Sequence, residues 1–148
     1  MITTKWLTGE QDLSHPYYIR TEVFIKEQHV PQNIEIDQLD KTAHHVVVYE
    51  KNTPVATGRL VIANQQYLLG RIAVLKEHRG KKLGDLVVRM LIRKAFDLGA
   101  QEVHIHAQTQ AQAFYEKLGF IPYGKIYTEA GIAHINMVKK EDVKGNCC

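Results

Sequence analysis

The run Arg79-Gly80-Lys81-Lys82-Leu83-Gly84 sets three cations and two glycines at the start of a stretch whose apolar residues, Leu83, Leu86, Val87 and Met90, recur at helical spacing. A helix start leaves backbone N–H groups without partners and carries the positive end of the helix dipole. Glycine lets a ligand approach the backbone closely. That combination suits an anion, and a phosphate above all. The run is not a P-loop, because Lys82 is followed by Leu83 instead of Ser or Thr, and it lacks the Gly-x-Gly-x-x-Gly dinucleotide pattern.

Residues able to move protons or anchor a polar ligand lie elsewhere. Tyr115 offers a phenol donor but also falls, with Ala111, Phe114 and Leu118, at the helical spacing of a core aromatic. His134 shares a strand face with Ile132 and Asn136 and is either a proton acceptor near neutral pH or a hydrogen-bonded structural histidine. Glu27, at the end of a helical segment, is a base, an amine anchor or an exposed terminal charge. Arg71 is a charge inside an otherwise apolar strand. It either meets a carboxylate or carbonyl in a cleft or pairs with an acid such as Glu27 or Asp37. No metal is expected: His44 and His45 point to opposite strand faces, and His104 and His106 share a face without an evident third ligand. Cys147 and Cys148, at the C-terminus, are poorly placed for a disulfide framework or a buried nucleophile.

The elements that must position these residues follow from pattern. Thr3–Thr8 reads as a strand, Tyr17–Gln28 as a helix broken at Pro31, and the acidic stretch Gln32–Lys41 as a loop. His45–Glu50 and Val55–Ala63 read as a hairpin around Lys51-Asn52-Thr53-Pro54, followed by a strand at Tyr67–Leu75. The basic loop and its helix, closed at Gly99, lead to the alternating strand Val103, Ile105, Ala107, so a βαβ crossover with parallel strands is expected. A short helix at Ala111–Leu118, two strands around Ile121–Tyr127 and Ile132–Lys139, and a frayed tail over 141–148 complete the chain. The order β-α-β-β-β-α-β-α-β-β predicts a mixed α/β sheet in one domain spanning 1–148.

Composition sets the outer limits. At 148 residues, 45% hydrophobic and 24% charged, the chain matches an ordinary single globular domain. No apolar run is long enough to span a bilayer, and Met1–Glu10 has no signal-peptide core, so a cytoplasmic domain without a membrane partner is expected. The net charge of +3 is too mild to imply nucleic acid. Its distribution is uneven: residues 1–50 hold four basic and eight acidic side chains, and residues 76–94 hold seven basic and two acidic. That asymmetry fits an anionic ligand at the basic cluster and a cationic one elsewhere, or simply a solvated charged surface.

Arg79–Gly84 resembles the pyrophosphate loop of GNAT-type N-acetyltransferases, Arg/Gln-x-x-Gly-x-Gly/Ala, with lysine at position 82 where the family usually has glycine. Leu69-Gly70-Arg71-Ile72-Ala73-Val74 is similar to the family's central strand, whose bulged end receives pantetheine and the thioester carbonyl. Tyr115-Glu116-Lys117-Leu118-Gly119-Phe120 resembles its Tyr-x-Lys-x-Gly-Phe signature. Val23–Gln28, His106-Ala107-Gln108 and Gly131–Met137 resemble the small bacterial ElaA-like subgroup.

The resemblance covers about residues 3–140 and implies a mixed sheet of six to seven strands flanked by three to four helices. It implies acetyl-CoA as co-substrate, held by Ile72, Ala73 and Val74 and by Arg79, Gly80, Lys81, Lys82, Leu83, Gly84 and Asp85. A backbone N–H at Ala73 or Val74 would stabilise the oxyanion. Tyr115 would be the acid for the departing thiol and His134 the base, with Glu27 as alternative base or amine anchor. Glu27 and Arg71 would meet a small amine or amino-acid-like acceptor, by direct transfer in a ternary complex. A homodimer is admitted. The alternative is a non-catalytic acyl-CoA-binding sensor using the same loop.

Overall fold

Val46, Val47 and Val48 are all fully buried, although successive strand residues face opposite ways, so this strand must be covered on both sides. In the structure, a computed structural model describing residues 1–141, Val46 and Val48 pack into one apolar cluster and Val47 into another. The sheet is thus the middle layer of three. It is built from β1 (Ile2–Thr8), β2 (His44–Glu50), β3 (Thr53–Ala63), β4 (Gln66–Val74), β5 (Glu102–Gln108), β6 (Ile121–Glu129) and β7 (Ile132–Lys140) in the order β1-β2-β3-β4-β5-β7-β6. Every pairing is antiparallel except β4 with β5. The mixed α/β architecture and its crossover agree with the sequence pattern.

On one face lies α3 (Leu83–Asp97), burying Val87, Val88, Leu91 and Ala95. It packs so closely on β3 that a Cβ on Gly58 would come within 2.7 Å of Val87 and 2.8 Å of Leu91. Truncating a core residue such as Leu91 to alanine should cost about 2–5 kcal/mol. On the other face lies α1 (Ser14–Arg20), with Ile19 buried against Leu7, Val47, Ala73 and Leu75. Two further short helices, α2 (Gln32–Glu35) and α4 (Gln112–Lys117), flank the cleft described below. No helix among the described residues is long and apolar enough to cross a membrane.

Two segments differ from their sequence pattern. The helix expected over Tyr17–Gln28 starts earlier, at Ser14, and from Thr21 to Glu27 winds as a wider π-helix, with Gln28 N–H donating to the Val23 carbonyl. Such widening is often found at functional sites. The stretch expected to be a loop, 32–41, forms α2 and a 3₁₀ turn at Gln38–Lys41, capped by the Asp37 side chain accepting from Leu39 N–H. Polar residues at short range hide this order, because what fixes the segment is ion pairing with distant strands. The hairpin turns use Lys51-Asn52 and Asn64-Gln65, all with positive φ. The tail expected to fray, with Cys147 and Cys148, lies outside the described residues from 142 onward.

Candidate active site

β4 and β5 pair only at Leu68–His104 and Leu69–Ile105, after which they part. The gap opens into a cleft of about 790 Å³ lined by β4, β5, the π-helical turn, the 30–39 segment, α4 and the β6–β7 turn. On the β3 side of β4, the register slips between Thr57 and Arg59, so Arg71 and Ile72 oppose the single residue Gly58. Arg71 takes the left-handed conformation there, with φ 51°. A non-glycine residue at such a φ is strained, and a bulge of this kind re-aims side chains. The bulge therefore lies one to two residues before Ala73, just short of Val74.

Beyond the bulge the backbone directions follow from the ladder. Leu75 N–H donates to the Val55 carbonyl at 2.9 Å, so Val74, one residue earlier, turns its N–H and C=O away from β3 and toward the cleft. Its carbonyl accepts from Arg79 Nε at 3.0 Å. Ala73 faces the other way, which leaves Val74 as the backbone donor open to the cleft. Ile72, Ala73 and Val74 all line it.

The basic loop lies beside this strand end. Arg79 and Gly84 reach the cleft wall, and Gly80, Lys81, Lys82, Leu83 and Asp85 form the turn and the first helical residues next to it. Lys82 caps α3 in the left-handed region, φ 62°, and no side chain caps the helix, so its first N–H groups remain open. The resembled family's glycine suits that φ, and lysine adopts it here at some cost. A Cβ on Gly84 would meet Phe114 and Val74 at 3.6 and 3.7 Å, which is ordinary contact. Most of the cations are already paired: Lys81 donates to Glu50 at 2.9 Å, and Asp85 accepts from Arg89. Arg79 grips Glu27 through both terminal nitrogens, at 2.8 and 2.7 Å. Those hydrogen bonds hold the Glu27 carboxyl below the usual range, which weakens it as a base.

Tyr115 is buried on α4 between Phe114 and Phe120, each in edge-to-face contact. Burial pushes its phenol far above the usual range, so it stays protonated. Its hydroxyl has no hydrogen-bond partner among the described residues, and the residue lines the cleft. His134 enters from β7. Its Nδ1 donates to the Ile132 carbonyl at 2.7 Å, which leaves Nε2 of the neutral ring as acceptor. The ring stacks on Tyr127 at 5.9 Å. His106, from β5, lines the same wall, and burial pushes its imidazole toward the neutral form. Gln108 donates to Gln28 across the cleft at 2.9 Å. His104 is spoken for by Glu102 and Tyr123, and no metal-binding cluster occurs among the described residues.

The far wall holds residues that the sequence pattern missed. Arg20, Glu35, Asp40 and Arg59 are buried as a connected ion network. Asp37 and Arg71 extend it to the cleft. Arg71 thus pairs with Asp37, one of the acids considered for it, and with Glu35; Glu27 lies on Arg79 instead. Burial alone would raise the Asp37 and Asp40 carboxyls, but the arginines beside them hold both below the usual range. Burial pushes His45, donating to the Asp40 carbonyl, toward the neutral form. One signal was available: Arg59 interrupts the apolar strand Val55–Ala63 just as Arg71 interrupts its own.

Comparison with known proteins identifies the family and the fold. The acetyltransferase (GNAT) domain family model matches residues 8–141. YjcF of Bacillus subtilis (strain 168), an uncharacterized N-acetyltransferase, is 41% identical over 132 residues, covering 88% of this chain and 94% of that protein. Protein ElaA of Escherichia coli (strain K12) is 32% identical over 127 residues, covering 82% of this chain and 83% of its own. The crystal structure of Escherichia coli ElaA superposes with a TM-score of 0.85 at 27% identity, covering 93% of this chain and 99% of that one. An acyl-CoA N-acyltransferase from Pseudomonas aeruginosa gives 0.83 at 28%, with the same coverage. The chain belongs to the GNAT acetyltransferase family.

Proposed function

We propose that this protein transfers the acetyl group of acetyl-CoA directly to the nitrogen of a small amine. The observation that carries this is the parted end of β4, where Val74 turns its N–H into a cleft bordered by an uncapped helix start and the unpartnered Tyr115 hydroxyl. Acetyl-CoA supplies the acyl group, activated as a thioester. The open N–H groups at Leu83, Gly84 and Asp85 take the pyrophosphate, and Arg79, Gly80, Lys81 and Lys82 shape and charge the loop around it. Ile72, Ala73 and Val74 flank the pantetheine arm, and Val74 N–H donates to the carbonyl oxygen as charge develops there.

His134 Nε2 accepts the proton from the attacking amine, directly or through water. His134 is favoured over Glu27, whose carboxylate is already held by Arg79. The Tyr115 hydroxyl donates its proton to the departing sulfur, a role that suits a phenol kept neutral by burial. Glu27 and Arg79 together brace the π-helical turn against the loop.

The test is thiol release from acetyl-CoA in the presence of an amine panel, with wild type, Tyr115→Phe and His134→Gln. Amine-dependent release, reduced roughly 100-fold in each variant at nearly unchanged acetyl-CoA affinity, is expected. Tight acetyl-CoA binding without release for any amine would favour a sensor module instead.

A further inference from the structure

From the ion network on the far wall, we infer that the acceptor is a small amino acid with an apolar side chain, its carboxylate held by Arg71. This deepens the proposed transfer and rests on it. The network has equal numbers of arginines and acids, yet what it offers the cleft is one-sided. Asp37 is saturated: Oδ1 accepts from Arg59 Nη1 and Leu39 N–H, and Oδ2 accepts from Arg59 Nη2 and Arg71 Nη2. Glu35 Oε1 accepts from Arg20 Nε, and Oε2 is buried in ion contact with Arg71 but accepts no hydrogen bond among the described residues. A carboxylate offers about four acceptor positions, so Asp37 has none left for an ammonium group.

The arginines are not equivalent. Arg20 is 1% exposed and Arg59 5%, both turned into the network. The Arg71 side chain is 24% exposed and lines the cleft. Its Nε and Nη2 are committed to the Glu35 and Ile34 carbonyls, Glu35 and Asp37, and its Nη1 has no hydrogen-bond partner among the described residues. The wall therefore presents the cleft with a fixed cation carrying a spare donor, while Asp37 is saturated and the unpartnered Glu35 Oε2 is buried against that cation. Guanidinium in that state suits a carboxylate. The strained φ of Arg71 has the same sense, since the bulge is what turns this side chain toward the cleft.

Beside these polar groups the cleft also has an apolar lining, which includes Val30, Ile34, Leu39, Val61 and Leu68. Ile34 and Leu39 are 46% and 41% exposed, large apolar side chains that the fold leaves uncovered. A ligand with an apolar side chain would cover them, its carboxylate on Arg71 and its amine toward His134.

The test compares acetyl transfer to L-leucine, leucinamide, 3-methylbutylamine and glycine by wild type, Arg71→Gln and Arg71→Lys. The amide's amine is the weaker base and less protonated, so basicity alone favours the amide. We expect a leucine kcat/KM at least 50-fold above leucinamide and 3-methylbutylamine, and at least 10-fold above glycine. The leucine–leucinamide ratio should fall to near one in Arg71→Gln and recover in part in Arg71→Lys. Should Arg71→Gln fail to fold, the wild-type comparison across the substrates decides alone. Equal use of leucine and leucinamide by wild type overturns the carboxylate assignment and leaves acetyl transfer standing. Absence of turnover with every amine overturns both.

Discussion

The two walls of the cleft are built from opposite materials. Beside α3 the useful groups are backbone N–H donors, and the charged side chains around them are exposed and paired with one another, as Lys81 with Glu50 and Arg79 with Glu27. On the 32–41 side the groups are buried side chains, and Arg20, Glu35 and Asp40 are almost wholly removed from water. Backbone groups survive most substitutions, but a buried ion network does not survive the loss of one member. One wall should therefore tolerate side-chain change as far as charge allows, and the other should fail at single positions.

The sharpest break of that contrast is Asp40→Ala, which strips Arg20 and Arg59 of the acid they share. Removing one partner of a buried pair costs about 3–5 kcal/mol, and urea unfolding should show a loss of that size or failure to fold. A loss no greater than that of a surface pair would mean the network is not buried in solution.

Tyr115→Phe should come next, in rate and not in stability. The hydroxyl makes no hydrogen bond among the described residues, so the melting temperature should hold while kcat falls about 100-fold. A matching fall in acetyl-CoA affinity would move Tyr115 from proton donor to binding contact.

The pH dependence of stability reports on the buried wall. Burial lowers the folded pKa of His45, so below its unfolded value, about 6.5, the unfolded chain binds more protons. Stability should therefore fall as pH drops from 7 toward 5, and less steeply in His45→Asn. Asp37 and Asp40 are depressed in the folded state, so their contribution is present above about pH 4 and is lost as pH falls further, through their folded values. A flat urea midpoint between pH 7 and pH 5 would contradict the burial of His45.

The smallest effect belongs to the loop. Lys82→Gly relieves a left-handed lysine and should leave stability between unchanged and about 1 kcal/mol higher. A clear loss in unfolding measurements would mean that the lysine side chain, not the backbone, shapes the turn.

The same contrast explains what the sequence made legible. Periodicity finds α3, the parallel strands and the hairpins because each is fixed by a local apolar pattern, and the loop is visible because glycine and charge cluster within a few residues. The bulge is expected near Ala73 and Val74 but lies at Arg71–Ile72, since a register slip is decided by the partner strand at Gly58. Gln32–Lys41 looks like a solvated loop because its binding partners, Arg20, Arg59 and Arg71, come from three distant elements. The π-helical turn has no pattern of its own that separates it from an ordinary helix.

The most direct test is a calorimetric titration of acetyl-CoA into wild type, Gly84→Ala and Gly84→Asp. A Cβ at position 84 meets only ordinary contacts, and an acid in the first turn favours the helix itself. Both variants should therefore fold. We predict wild-type affinity retained within a few-fold in Gly84→Ala and reduced at least 100-fold in Gly84→Asp, where a carboxylate meets the pyrophosphate. Equal affinity in all three proteins, or no binding to wild type, would contradict the helix start as the acyl-CoA site.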